Sequence, residues 1–146
     1  MRILTLFLLT TLIAMTSCKK STPVAVDTTE AAEIPREVAI QKLGELLPTV
    51  EYTYCTLPKY SLKPSEIKGW RIRSDAVEID LGKAKELVLS YGDITQVRLE
   101  LMGRYFTARI FTSVQVDKEK AHFEFQWKQE EPAKRAVELF SSLKKK

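Results

Sequence analysis

A chain of 146 residues with 45% hydrophobic and 29% charged side chains carries enough apolar material for one packed core, which excludes wholesale disorder. Its formal charge of +4 comes mostly from the ends, because residues 34–143 hold 17 Lys and Arg against 16 Asp and Glu. A nearly neutral body lacks the clustered basic face that displaces counterions from nucleic acid, so no nucleic-acid partner is expected.

Met1 and Arg2 form a short positive start, and residues 3–15 are apolar apart from threonines. That run is shorter than the roughly 20 residues needed to cross a hydrocarbon core and suits the apolar region of an export signal. Thr16 and Ser17 follow, then Cys18. Met15-Thr16-Ser17-Cys18 resembles the lipobox of bacterial lipoprotein signal peptides, with Met where Leu is usual. The resemblance implies that residues 1–17 are removed, that the Cys18 sulfur takes a diacylglyceryl group, and that the new amine is acylated. Several chains anchor far more durably than one, since each buried methylene contributes about 0.8 kcal/mol. A membrane is therefore the expected partner of Cys18. Lys19 stands where an aspartate often retains such proteins in the inner membrane, so the resemblance implies the outer membrane of a bacterial cell envelope. Residues 18–33 are small and polar with Pro23 among them, and are expected to form a flexible tether of roughly 20 Å.

Residues 34–146 are expected to be one globular domain. Pro35 suits the first position of a helix over 35–47, where its missing N–H is not needed, and Ala39, Leu43, Leu46 and Leu47 fall on one side of it. Gly44 weakens this helix and Pro48 ends it. Residues 50–57 are rich in β-branched and aromatic side chains, as in a strand or an extended arm, and Pro58 and Pro64 bracket a loop. From residue 67 to 127 the pattern has period two. Trp70 and Ile72 alternate with Arg71 and Arg73, and Val77, Ile79 and Leu81 with Glu78 and Asp80. Leu87, Leu89 and Tyr91 follow, then Ile94, Val97, Leu99 and Leu101, whose phase changes near Thr95 as at a bulge. A strand from Tyr105 to Phe111 and one alternating His122, Glu124 and Gln126 with Phe123, Phe125 and Trp127 complete an antiparallel meander. Residues 131–143 read as an amphipathic helix with Ala133, Ala136, Val137, Phe140 and Leu143 as its apolar stripe.

The fold class is α+β: a small antiparallel β-barrel or sandwich of six or seven strands, an N-terminal helix, and a C-terminal helix plugging the open corner. GWRI at 69–72, YGDITQVRL at 91–99, FEF at 123–125 and AVELFSSL at 136–143 resemble the pleckstrin-homology-like superfold over residues 67–143. The resemblance implies a non-enzymatic binding module that presents a sheet edge or groove to a protein or peptide. A different α+β meander with a helix across one face is the competing architecture.

Few residues suggest chemistry. His122 is the one histidine, and a metal site needs several converging ligands, so neither a metal nor another cofactor is expected. There is no GxSxG turn and no glycine-rich phosphate loop, and the acidic residues alternate as on a solvated face, so no enzyme is expected. Cys55 suits either a buried small hydrophobe beside Tyr52 and Tyr54 or an intermolecular disulfide. Lys68, Arg71 and Arg73, in KGWRIR, form the candidate contact for an anionic head group or ligand, since Arg71 and Arg73 share one strand face. Pairing with Glu78 and Asp80 is the competing account of those arginines. The aromatics at Tyr105, Phe106, Phe111, Phe123, Phe125 and Trp127 suit either a core or a carrier of lipid or small apolar ligands, and a hydrolase with an unrecognised site is the third function weighed.

Overall fold

The computed structural model describes residues 21–25, 34–56, 59–116 and 118–144. The export signal, Cys18 and most of the tether lie outside the described residues. In chain order the elements are β1 (Ser21–Val24), α1 (Arg36–Leu46), β2 (Tyr52–Thr56), β3 (Lys59–Leu62), β4 (Gly69–Ile72), β5 (Ala76–Gly82), β6 (Lys85–Ser90), β7 (Ile94–Met102), β8 (Tyr105–Val116), β9 (Glu119–Trp127) and α2 (Glu130–Leu143). No helix among them is long and apolar enough to cross a membrane.

The strands form two sheets, a six-stranded one in the order β1-β7-β8-β9-β2-β3 and a three-stranded one in the order β4-β5-β6. Every pairing is antiparallel. The barrel alternative is thereby corrected. A turn of 3-10 helix at Tyr91–Asp93 carries the chain from β6 to β7 without a ladder between them, so the sheets face each other and do not close. Tyr91, expected to end a strand, sits in this turn with its ring buried. The irregularity expected near Thr95 is present as a register shift between Ile94 and Gln96.

The core lies between the two sheets and the helices. Phe125 of β9 stacks on Phe140 of α2 with centroids 5.6 Å apart, and Trp70 of β4 closes on Phe125 at 6.0 Å. Burying each such ring contributes about 1.5–3 kcal/mol. α2 buries Ala133, Ala136, Val137, Leu139, Phe140 and Leu143, and Glu130 and Glu131 lie at the positive end of its dipole. α1 presents a narrower stripe, Ala39 and Leu43, continued by Leu47 in the following 3-10 turn, while Leu46 is only partly buried. Thr49 Oγ1 ties the two ends of the domain, donating to the Leu46 carbonyl at 2.6 Å and accepting the Trp127 indole N–H at 3.0 Å.

Two strands occupy segments whose composition suggests none. Ser21–Val24, expected in the tether, pairs with the edge of β7, placing Ser21 opposite Met102 and Val24 opposite Leu99. Val24 packs against the core, and Pro23 is tolerated because an edge strand leaves one row of N–H positions unpaired. Lys59–Leu62, expected as a loop, forms the other edge, with Leu62 buried.

Candidate functional site

Period-two geometry divides the six-stranded sheet into two unlike faces. Phe123, Phe125 and Trp127 of β9 and Ala108 and Ile110 of β8 point into the core. On the opposite face stand His122, Glu124 and Gln126 of β9, Tyr105, Thr107, Arg109 and Phe111 of β8, Tyr52 and Tyr54 of β2, and Glu100 and Met102 of β7. The ladder sets their neighbours. Glu124 lies opposite both Tyr54 and Arg109, and Gln126 opposite both Tyr52 and Thr107.

These side chains form an open groove of about 590 Å³, walled by Tyr52, Tyr54, Met102, Arg104, Tyr105, Glu124 and Gln126. Tyr52 and Tyr105 meet edge to face across β9 with centroids 5.3 Å apart. The aromatic line continues through Tyr54, His122 and Phe111, with His122 5.9 Å from the first and 5.7 Å from the second. Arg104 lies over the Tyr105 ring at 5.3 Å and Arg98 over Phe111 at 5.2 Å.

Beneath the rings is a charged floor. Arg109 reaches Glu100 Oε2 at 3.0 Å through Nη1 and Glu124 Oε1 at 2.7 Å through Nη2. His122 Nε2 lies 3.1 Å from Glu124 Oε1, and the Gln126 amide donates to Glu124 Oε2 at 3.2 Å. Glu100 and Glu124 are only 3% and 5% exposed, although no element of the described residues covers this face. The expectation of a solvated acidic face is corrected at Glu124: alternation puts it outside the core, and the ladder packs it under its neighbours. Burial alone would push the Glu124 carboxyl up. The His122 hydrogen bond and the Arg109 charge together outweigh it and hold the group below the usual carboxylate range. An ionised carboxylate engaged by Arg109, His122 and Gln126 is a rigid floor and a poor proton donor. Among the described residues no three or more His, Cys, Asp or Glu converge in a way that could hold a metal ion.

No family model matches this chain, and no curated protein does. Among solved structures, the PH domain from TgAPH is similar over 77% of this chain and 93% of that one, with a TM-score of 0.47 and 15% identity.

The structure places the candidate cations elsewhere, on the outer face of the small sheet. Arg71 Nε contacts Glu78 at 2.8 Å and its Nη2 contacts Glu86 at 2.6 Å, while Arg73 Nε contacts the other Glu78 oxygen at 2.6 Å. The two arginines do share a face, and it is Glu78 that they clasp. Asp80, the second expected partner, accepts the Gly82 N–H at 2.7 Å. The Lys68 ammonium reaches the Ser65 carbonyl at 3.5 Å, so the three cations do not converge on one anion-sized point. Cys55 is fully buried opposite Phe123, which rules out the intermolecular disulfide in the folded domain. The groove residues Tyr52, Tyr54, Arg104, Arg109 and Gln126 carry no signal as a group, because four segments contribute them. Only the alternation of Tyr52 with Tyr54 showed that both leave the core on one side.

Proposed function

We propose that this chain is a lipoprotein of the bacterial envelope, acylated at Cys18. In this proposal its folded part is a non-enzymatic, pleckstrin-homology-like module that binds a protein or peptide partner through the groove on the large sheet. The observation that carries the binding role is the contrast between the two faces of that sheet. One is sealed by α1, α2 and the small sheet. The other is uncovered and lined by tyrosines, a methionine and arginines over a fixed ion-pair floor. Those residue types are enriched where proteins meet. The early three-stranded sheet, the following antiparallel strands and the terminal helix across the corner support the pleckstrin-homology-like assignment.

The carrier alternative is weaker. A ligand-sized void between the sheets would leave its lining accessible to a water-sized probe, yet Val77, Ile79, Ala108, Ile110, Phe125 and Phe140 are all at 0% exposure. Phe123, Phe125 and Trp127, which motivated that alternative, are core residues.

A photo-crosslinking residue at position 54 tests the binding role in growing cells, with position 42 on the exposed side of α1 as the control. A discrete adduct from position 54 and none from position 42 is expected. Identical patterns from both positions, or none from position 54, would refute it.

A further inference from the structure

We infer that the β7–β8 turn, Gly103-Arg104 with Met102 and Tyr105 at its base, rests on the lipid surface that holds Cys18. This inference rests on the acylation proposed above. Strand register carries it: Ser21 of β1 lies opposite Met102, the last residue of β7 before the turn. Three peptide steps separate Cys18 from Ser21, and at full extension they span about 10 Å. The acyl chains hold Cys18 at head-group level, so this corner of the large sheet stays within that distance of the bilayer. The roughly 20 Å of free tether that composition suggests is shortened because Ser21–Val24 belongs to the sheet. β8 then runs 12 residues from the turn, about 40 Å, toward the β8–β9 turn at Lys118.

The chemistry of this corner fits anionic lipid head groups. Arg104 is exposed on the turn and lies over Tyr105. Lys128 is exposed beside it and pairs with Glu51 at 2.9 Å. Tyr52 and Tyr105 supply the amphipathic rings that settle at a membrane–water boundary, while arginine and lysine stems reach up to phosphates. The groove begins at Met102 and Tyr105, so it opens beside the membrane, and whatever enters it is met there.

The test uses the acylated full chain in vesicles of phosphatidylethanolamine and phosphatidylglycerol, spin-labelled at Arg104→Cys or at Lys118→Cys. Cys55 is buried and Cys18 acylated, so each variant carries one label. The label at position 104 is expected to be several-fold better protected from a water-soluble nickel relaxant than the label at position 118. Equal exposure, or greater protection at 118, would overturn the inference. A Gly-Ser spacer of about ten residues inserted after Lys20 separates tethering from recognition. In the spacer variant the label is carried on Ser21→Cys, exposed opposite Met102, so that Arg104 is retained; its protection is expected to survive in phosphatidylglycerol-containing vesicles and to vanish in pure phosphatidylcholine. Loss in both would show that the link alone holds the turn and would refute head-group recognition. The mass of the N-terminal peptide is read in parallel. An unmodified Cys18 would refute the anchor itself, a failure distinct from an acylated chain whose turn stays in water.

Discussion

Replacing Arg109 with methionine tests whether the groove floor is a buried ion cluster. The guanidinium contacts two carboxylates at 3.0 and 2.7 Å, with side-chain exposures of 18% for Arg109, 4% for Glu100 and 7% for Glu124. Removing one member of such a cluster strands the others in low dielectric, which costs about 3–5 kcal/mol. Arg109→Met should therefore lose about 4 kcal/mol near pH 7.5 in urea unfolding followed by tryptophan fluorescence. The pH dependence adds a signature. In the native protein Glu124 titrates below its unfolded value, so its contribution is complete above the unfolded carboxylate pKa and is lost only as pH falls through the folded one. Without Arg109, burial of Glu124 is opposed by His122 alone, so its carboxyl rises relative to the native protein, the folded variant binds more protons, and the variant recovers stability relative to the native protein as pH falls from about 7.5 through the carboxylate range. The gap between variant and native protein should narrow over that range. Combining Glu100→Gln, Arg109→Met and Glu124→Gln leaves no charge stranded and should return most of the loss. A loss under about 1 kcal/mol, or a gap independent of pH, would refute the reasoning.

Tyr91 is fully buried, its hydroxyl has no hydrogen-bond partner among the described residues, and burial pushes its pKa up to about 12. The stabilisation from keeping it neutral is complete below about pH 10 and lost as pH rises through about 12, so Tyr91→Phe should raise the melting temperature by a few degrees at neutral pH and extend the alkaline limit. A lowered melting temperature in calorimetry would show that the hydroxyl is satisfied. Phe140→Ala removes the ring stacked on Phe125 and should cost about 3–5 kcal/mol in urea unfolding, whereas a cost near 1 kcal/mol would mean the corner repacks. Cys18→Ser should leave the chain unprocessed, larger by residues 1–17 and without acyl mass; a variant with the same size and N-terminal mass as the native protein would remove the anchor.

Much of the architecture is legible in local pattern. The alternation in β7, β8 and β9 and the stripe of α2 show which side chains enter the core, because a half-buried strand and an amphipathic helix impose periods of 2 and 3.6 whatever lies around them. The pairing of Arg71 and Arg73 with Glu78 follows from one short hairpin. Closure is not legible, since alternation is the same in an open sheet and a barrel. Nor is β1: Ser21-Thr22-Pro23-Val24 has little strand propensity, and it pairs because the edge of β7 is available and Val24 finds the core. The groove floor is hidden for a related reason. Alternation gives the face of Arg109, but only the register of three strands shows that its neighbours are Glu100 and Glu124.

The chain holds three methionines, Met1, Met15 and Met102, and the last lines the groove. A spectrum of the acylated chain labelled with carbon-13 at its methionine methyls therefore carries a reporter of groove occupancy. Adding the crosslinked partner should shift the Met102 resonance, and Tyr54→Ala should abolish that shift while leaving the fold intact. A partner that binds with undiminished affinity to Tyr54→Ala and leaves Met102 unmoved would place the working surface elsewhere.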